Sequence, residues 1–220
     1  MFLAACATEF EMQPLRDHLS QADREWLSLV TGVGIVETTL CLTRYLEQHP
    51  GRVSGVLHFG VGGAYVRPDA DGADLLDICL AEEEVFGDFG ICYRDRIEPL
   101  SAQMMYRQVY PLDHGLLAQA GEILQEQGLF CKQGSFVTVC GVSATAVRGT
   151  MLTEQYNGIC ENMEGAAMAR VCEEFRLPLL ELRAISNFVE DRDLERWRLA
   201  EACERAGMAA ALLLRDLKQP

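Results

Sequence analysis

Short apolar runs alternate with longer amphipathic stretches along this chain, and that alternation restricts what it can fold into. "MFLAACA" at the start, "EWLSLV" (Glu25–Val30), "VSGVLHF" (Val53–Phe59), "GSFVTVC" (Gly134–Cys140) and "LPLLELRAI" (Leu177–Ile185) read as buried strands. "LLDICLAEEEVFGD" (Leu75–Asp88) reads as a long strand that leaves the core and turns polar. Helical patterns lie between them: Thr8–Gln21, a stretch after Gly34 running to about Gln48, "DHGLLAQAGEILQEQ" capped by Asp113, and the Ala-rich Glu164–Phe175. A long terminal helix is expected from Asp193 to Leu217, and residues 90–112 read as loop with a short strand.

This order predicts an α/β protein with a mostly parallel sheet and helices on both faces. In such sheets ligands sit outside the C-terminal strand ends. With no repeat, linker or low-complexity segment, one domain is expected over residues 1–220.

Charge narrows the partners. The formal net charge is −14, which disfavours both nucleic acid and an anionic membrane surface. Nine Cys are scattered with no Cys-x-x-Cys, and the four His stand apart. They read as buried thiols in a reducing compartment, with neither a metal site nor a cofactor expected. "LAAC" (Leu3–Cys6) mimics a lipoprotein box, but it lacks a basic n-region and an apolar h-region. No stretch approaches the ~20 apolar residues of a membrane span. A cytoplasmic protein is expected.

Several residues stand where chemistry would be done, each with a plainer reading beside it. Gly32-Val33-Gly34 and Gly60-Val61-Gly62-Gly63 follow strands, where glycine lets backbone approach a ligand or simply turn. Neither forms a dinucleotide or Walker phosphate loop. Glu11 fits a capping box with Thr8, and it also fits a carboxylate able to take a proton from water. Glu164 opens a helix, where the dipole favours it, yet Gly165-Ala166-Ala167 leave room for a ligand beside it. Arg183 on a buried strand must be paired with a carboxylate, and Asn187 equally suits a turn.

Taken in order, strand-Glu11, Gly-Val-Gly, Gly-Val-Gly-Gly, Asn-Met-Glu-Gly-Ala-Ala and Arg-Ala-Ile-Ser-Asn resemble the purine nucleoside phosphorylase/nucleosidase superfamily over most of the chain. The nearest branch in pattern is that of the 5′-methylthioadenosine/S-adenosylhomocysteine nucleosidases and futalosine hydrolases. The resemblance implies a three-layer α/β/α fold around a central mixed sheet, in homodimers or larger homo-oligomers, with a small-molecule nucleoside as substrate. It places the water-activating carboxylate on Glu11, and the ribose-holding pair on Met163 and Glu164. It puts Gly62 and Gly63 beside the sugar, and the base reader on Asn187 with Ser186 and Arg183 behind it. The stacking aromatic has no clear counterpart near Val142–Thr145, which leaves Phe136 or Phe188.

Two departures bear on the substrate. Superfamily phosphorylases carry an Arg after the first strand, where this chain has Glu9 and Glu11; carboxylates suit water and repel phosphate. Adenine-releasing nucleosidases carry Asp where this chain has Asn187. An amide supplies no proton, but it can donate to a 6-oxo group and accept from N7–H, the pattern of hypoxanthine or guanine. Futalosine, an inosine whose 5′ end bears an aromatic carboxylate, is the substrate this implies. Arg67, Arg94, Arg96 and Arg107 are available for that carboxylate. Methylthioadenosine/adenosylhomocysteine cleavage, phosphorolysis of inosine or guanosine, and non-catalytic nucleoside sensing are the competing readings.

Overall fold

The computed structural model describes residues 1–19, 26–67, 72–101, 103–104 and 106–218. The expected helix end at Ser20–Gln21 and strand start at Glu25 lie outside the described residues. Strand β1 (Phe2–Cys6) leads into α1 (Glu9–His18), β2 (Leu27–Val30), α2 (Ile35–Gln48), β3 (Gly55–Tyr65) and β4 (Ile78–Phe86). Three short strands follow, β5 (Ile91–Cys92), β6 (Ile97–Glu98) and β7 (Val109–Pro111), where a single short one was expected. Then come α3 (His114–Glu126), β8 (Cys131–Thr138), α4 (Ala146–Tyr156), β9 (Cys160–Asn162), α5 (Gly165–Glu174), β10 (Leu179–Val189) and α6 (Leu199–Asp216).

The sheet is mixed. β1 pairs in parallel with β2 and β3, β10 with β3, and β8 with both β4 and β9; the pairs β10–β4, β3–β9 and β4–β7 are antiparallel. Because β10 bonds to β3 as well as β4, the strands β3, β10, β4, β8 and β9 close into a ring. Alternate residues of β1 face opposite layers. Phe2, Ala4 and Cys6 join the core beneath α1, α3 and α6, while Leu3 and Ala5 join the core beneath α2 and α5. The three layers are thus α1/α3/α6, sheet, and α2/α5, with α4 packing on a smaller cluster around Val137 and Leu152.

Local chemistry sets several helix ends. Thr8 and Glu11 form the complete capping box on α1, and Asp113 accepts from Leu116 N at 2.8 Å to start α3. Helix α4 was not legible in the sequence: it buries only Gly149 and Leu152, so it carries no apolar stripe, and its N-cap is Thr145. The terminal helix begins at Leu199, later than Asp193, because residues 194–196 form a separate 3-10 turn capped by Asp193.

Strand boundaries correct the reading at the most informative places. β3 does not stop at Phe59; Gly60 to Tyr65 continue it, with Gly60 opposite Arg183 and Gly63 opposite Asn187. The glycine run is therefore strand, not a crossover loop. Flanking strands supply hydrogen bonds on both sides, which offsets the weak strand preference of glycine. β10 likewise runs past Ile185 to Val189, with a bulge at Ser186 that shifts its register against β3. β4 does turn polar, but its Glu84 stays fully buried.

Candidate active site

A cavity of about 310 Å³ opens where β1, β3 and β10 end against α1, α5 and α6. Ala7, Thr8, Glu11, Gly62, Gly63, Met163, Glu164, Arg183, Ser186 and Asn187 all line it, so the structure gathers every sequence-selected site residue in one place. It lies at the C-terminal ends of parallel strands, as the topology requires.

Glu11 is both cap and cavity carboxylate, so the two readings are compatible. Its Oε2 accepts from Thr8 N at 3.0 Å and from the Thr8 hydroxyl at 2.8 Å. Its Oε1 accepts from Val61 N at 3.2 Å. Three donors around one carboxylate fix its direction while leaving lone pairs toward the cavity. Glu9 takes no part: it is exposed and pairs with Arg16 at 2.7 Å. Only one acid of the expected pair faces the site.

Glu164 occupies the N-cap position of α5 but makes no side-chain cap bond. Asn162 does that work instead, with Oδ1 accepting from Glu164 N at 3.0 Å and Gly165 N at 2.7 Å; Thr138 Oγ1 accepts from Ala166 N at 2.7 Å. The Glu164 carboxylate is thereby free for other partners. Oε1 accepts from Gly34 N at 3.0 Å, which joins the first glycine loop to the site, and Oε2 lies 3.5 Å from Arg183 Nη1.

The small residues after Glu164 do not make room for a ligand. A Cβ on residue 165 would stand 1.9 Å from Glu84 Oε1 and 2.7 Å from Glu181 Oε2, so only glycine fits between those two buried side chains. Ala166 and Ala167 are buried in the helix and do not line the cavity.

Beneath the cavity lies a charge network whose participants are 125 residues apart in places. Arg183 is 1 % exposed; its Nε donates to Glu181 Oε1 at 2.9 Å, its Nη1 to Val61 O at 3.3 Å, and its Nη2 lies 3.3 Å from the His58 ring. Burial pulls the guanidinium pKa down, but Glu181, Glu164, Glu11 and Glu84 more than offset it and hold the charge. Burial pushes the Glu181 carboxyl up, yet His58 and Arg183 win and set it at about 2. Glu84 goes the other way. Burial first, then the Glu181 charge, raise it well above the usual carboxylate range, despite bonds of 2.6 Å each from Thr138 Oγ1 and Asn162 Nδ2. Glu84 thus holds its proton more tightly than an ordinary carboxyl, beside an acid that gives its proton up more readily. Arg183 sits under Glu164, and not behind Asn187 as expected.

Asn187 is oriented by its neighbours. Its Oδ1 accepts from Ser186 Oγ at 2.8 Å and its Nδ2 donates to Phe188 O at 3.0 Å. One N–H and one oxygen lone pair remain for a ligand. Ser186, the bulge residue, does stand behind it. Glu161 forms the wall opposite: Ser143 N and Oγ donate to its two oxygens at 2.8 Å and 2.7 Å, and burial raises its pKa.

Neither Phe136 nor Phe188 faces the cavity; Phe136 is fully buried, and Phe188 packs on the core beneath α2 and α5. The aromatic side chains on the cavity wall are Phe10 and Trp197. Nor do Arg67, Arg94, Arg96 or Arg107 line it; the second arginine there is Arg192. Cys203 lines it too, but burial and then the Glu11 charge push its thiol up to about 12, which removes it as a nucleophile. Glu181 had a sequence signal, an acid inside an apolar strand two residues before an arginine, hence on the same face. Glu84, His58 and Arg192 had none.

Three comparisons agree with this geometry. A family model described as the phosphorylase superfamily matches residues 9–218. The futalosine hydrolase of Thermus thermophilus is 34% identical over 194 residues, covering 86% of this chain and 80% of that one. The 5′-methylthioadenosine/S-adenosylhomocysteine nucleosidase of Shewanella frigidimarina is 25% identical over 193 residues, covering 83% and 78%. Among solved structures, the futalosine hydrolase of Helicobacter pylori superposes with a TM-score of 0.84 at 20% identity, covering 98% of this chain and 97% of that one.

Proposed function

From a chain that belongs to the phosphorylase superfamily, and whose relatives are N-glycosyl hydrolases, we propose a nucleosidase that hydrolyses futalosine and releases hypoxanthine. The observation that carries the choice of base is Asn187. Its amide is pinned by Ser186 and Phe188, which leaves one N–H to donate to a 6-oxo group and one oxygen lone pair to accept from N7–H of the released base. An aspartate there would suit the 6-amino group of adenine; the amide suits the oxo group. Removal of hypoxanthine from a nucleoside whose ribose 5′ end bears an aromatic carboxylate is the step this reading assigns to menaquinone biosynthesis.

The residues divide the work as follows. Met163 packs on the ribose and Glu164 accepts from its hydroxyls. Glu11 takes a proton from water as the water oxygen bonds to C1′ and the C1′–N9 bond breaks through an oxocarbenium-like state. The electron pair of that bond leaves with hypoxanthine as its anion, whose 6-oxo group the Asn187 N–H holds; the departing base then takes its N7 proton from water, and Glu11 returns its proton to solvent. Water is favoured over phosphate because the cations on the cavity wall are Arg183, sealed in ion pairs, and Arg192 at the rim, so among the described residues no free cation lies beside Glu11.

The same reading makes the protein a single-domain cytoplasmic homo-oligomer. Its cysteines are all free thiols. Val36 and Leu40 are exposed apolar residues one turn apart on α2, next to exposed Val33 in the preceding loop, which also lines the cavity, so a second subunit covering them would adjoin the site. No helix among the described residues is long and apolar enough to cross a membrane.

The test is base release by chromatography from futalosine, methylthioadenosine and inosine, each with and without phosphate. Hypoxanthine from futalosine, independent of phosphate, is the expected result. Adenine from methylthioadenosine with no turnover of futalosine overturns the Asn187 argument, and strict phosphate dependence overturns hydrolysis.

A further inference from the structure

We propose that Arg192, stacked on Trp197, is the specificity element that binds the carboxylate of the substrate's aromatic 5′ substituent. This rests on the futalosine reading and extends it to a part of the cavity that the reading leaves without a role. With the base on Asn187 and the ribose on Glu164, the unmatched wall is the rim. There Phe10, Val33, Val142 and Leu199 present exposed apolar surface, next to Arg192 and Trp197. An apolar rim with one cation on an aromatic plate suits an aryl carboxylate: the ring packs on the apolar wall and the guanidinium takes the two oxygens.

Arg192 is available for that role. Its guanidinium carbon lies 4.7 Å from the Trp197 ring centroid, which holds the side chain over the rim, and its backbone is fixed by a bond from Arg192 N to Ala144 O at 3.2 Å. The acids flanking it in sequence are turned elsewhere. Glu190 pairs with Arg196, Asp191 accepts from Ala146 N at 3.1 Å, and Asp193 accepts from Glu195 N at 3.1 Å. Among the described residues no carboxylate pairs with the Arg192 guanidinium. In a chain of net charge −14, an uncommitted cation on the wall of the site is a feature that an anionic ligand would explain.

The experiment compares futalosine with its methyl ester, which keeps the aryl ring and removes the charge. For the wild-type enzyme kcat/KM should favour the acid by about tenfold, the scale of a charge-assisted pair at a partly exposed site. In Arg192→Gln the ratio of acid to ester should fall to about one, and Arg192→Lys should restore part of it. The ratio reads the carboxylate alone, whatever else the substitution does to turnover. Equal wild-type rates on acid and ester, or a preference for the acid that survives in Arg192→Gln, overturn this inference while leaving futalosine hydrolysis standing. No wild-type turnover of either form overturns the functional reading and this inference with it.

Discussion

The Glu11 carboxylate lies against Gly60 so closely that a Cβ at residue 60 would stand 2.6 Å from Glu11 Oε1, and 2.9 Å from Arg183 Nη1. Strand β3 thus brings bare backbone against the proposed base and against the arginine that holds the charge network. Gly60→Ala should displace the Glu11 carboxylate, lowering kcat by about ten- to a hundredfold and stability by roughly 1–3 kcal/mol as overpacking does. Steady-state rates together with urea unfolding check both parts. Wild-type kcat in the folded variant would show that Glu11 tolerates a different position.

Glu11→Gln keeps the shape and removes the proton acceptor. It should lose roughly 10²–10⁴ in kcat while still binding product, since general base catalysis is worth that much. Single-turnover rates and calorimetric titration with hypoxanthine separate the two effects. Loss of binding with an unchanged chemical step would reassign Glu11 to a binding role.

Asn187→Asp should invert the base preference. Losing the amide donor to the 6-oxo group leaves a carboxylate facing an oxygen, at a cost of about 1–3 kcal/mol, so kcat/KM for futalosine should fall about ten- to a hundredfold. Turnover of the 6-amino analogue should rise relative to it. The ratio of the two substrates, measured in competition, is the readout.

Glu84 offers a pH test. Its pKa is raised in the folded state, so the folded protein binds the proton more tightly than the unfolded chain does. Stability from this group is therefore fully present below the ordinary carboxylate pKa and is lost as pH rises above it, by at most about 1.4 kcal/mol per pH unit. Glu181 has the opposite sign: its contribution is present above the ordinary range and is lost as pH falls toward about 2. Glu84→Gln, a neutral mimic, should flatten the decline above the ordinary carboxylate range. Parallel slopes for variant and wild type in urea unfolding across that range would mean that Glu84 is ionised in the fold.

Periodicity and cap chemistry determined much of this protein from sequence alone. The alternation of strands and helices, the Thr8–Glu11 capping box and the Asp113 cap were legible because each depends on residues within a few positions of one another; Glu11, Met163, Glu164, Ser186 and Asn187 were picked out as a set by the resemblance of their motifs to a family. Strand ends were not. The glycines of Gly60–Gly63 and the Ser186-Asn187 pair lack local strand preference, and they are strand because β3 and β10 pair with each other from distant parts of the chain. The same pairing put Arg183 opposite Gly60, closed the sheet into a ring, and buried Glu84 beside Glu181 at Gly165. Which acid holds its proton more tightly, which arginine is sealed in ion pairs and which one is left at the rim are properties of burial and register. Those come from hydrogen-bond ladders between segments more than a hundred residues apart, and no local pattern carries them.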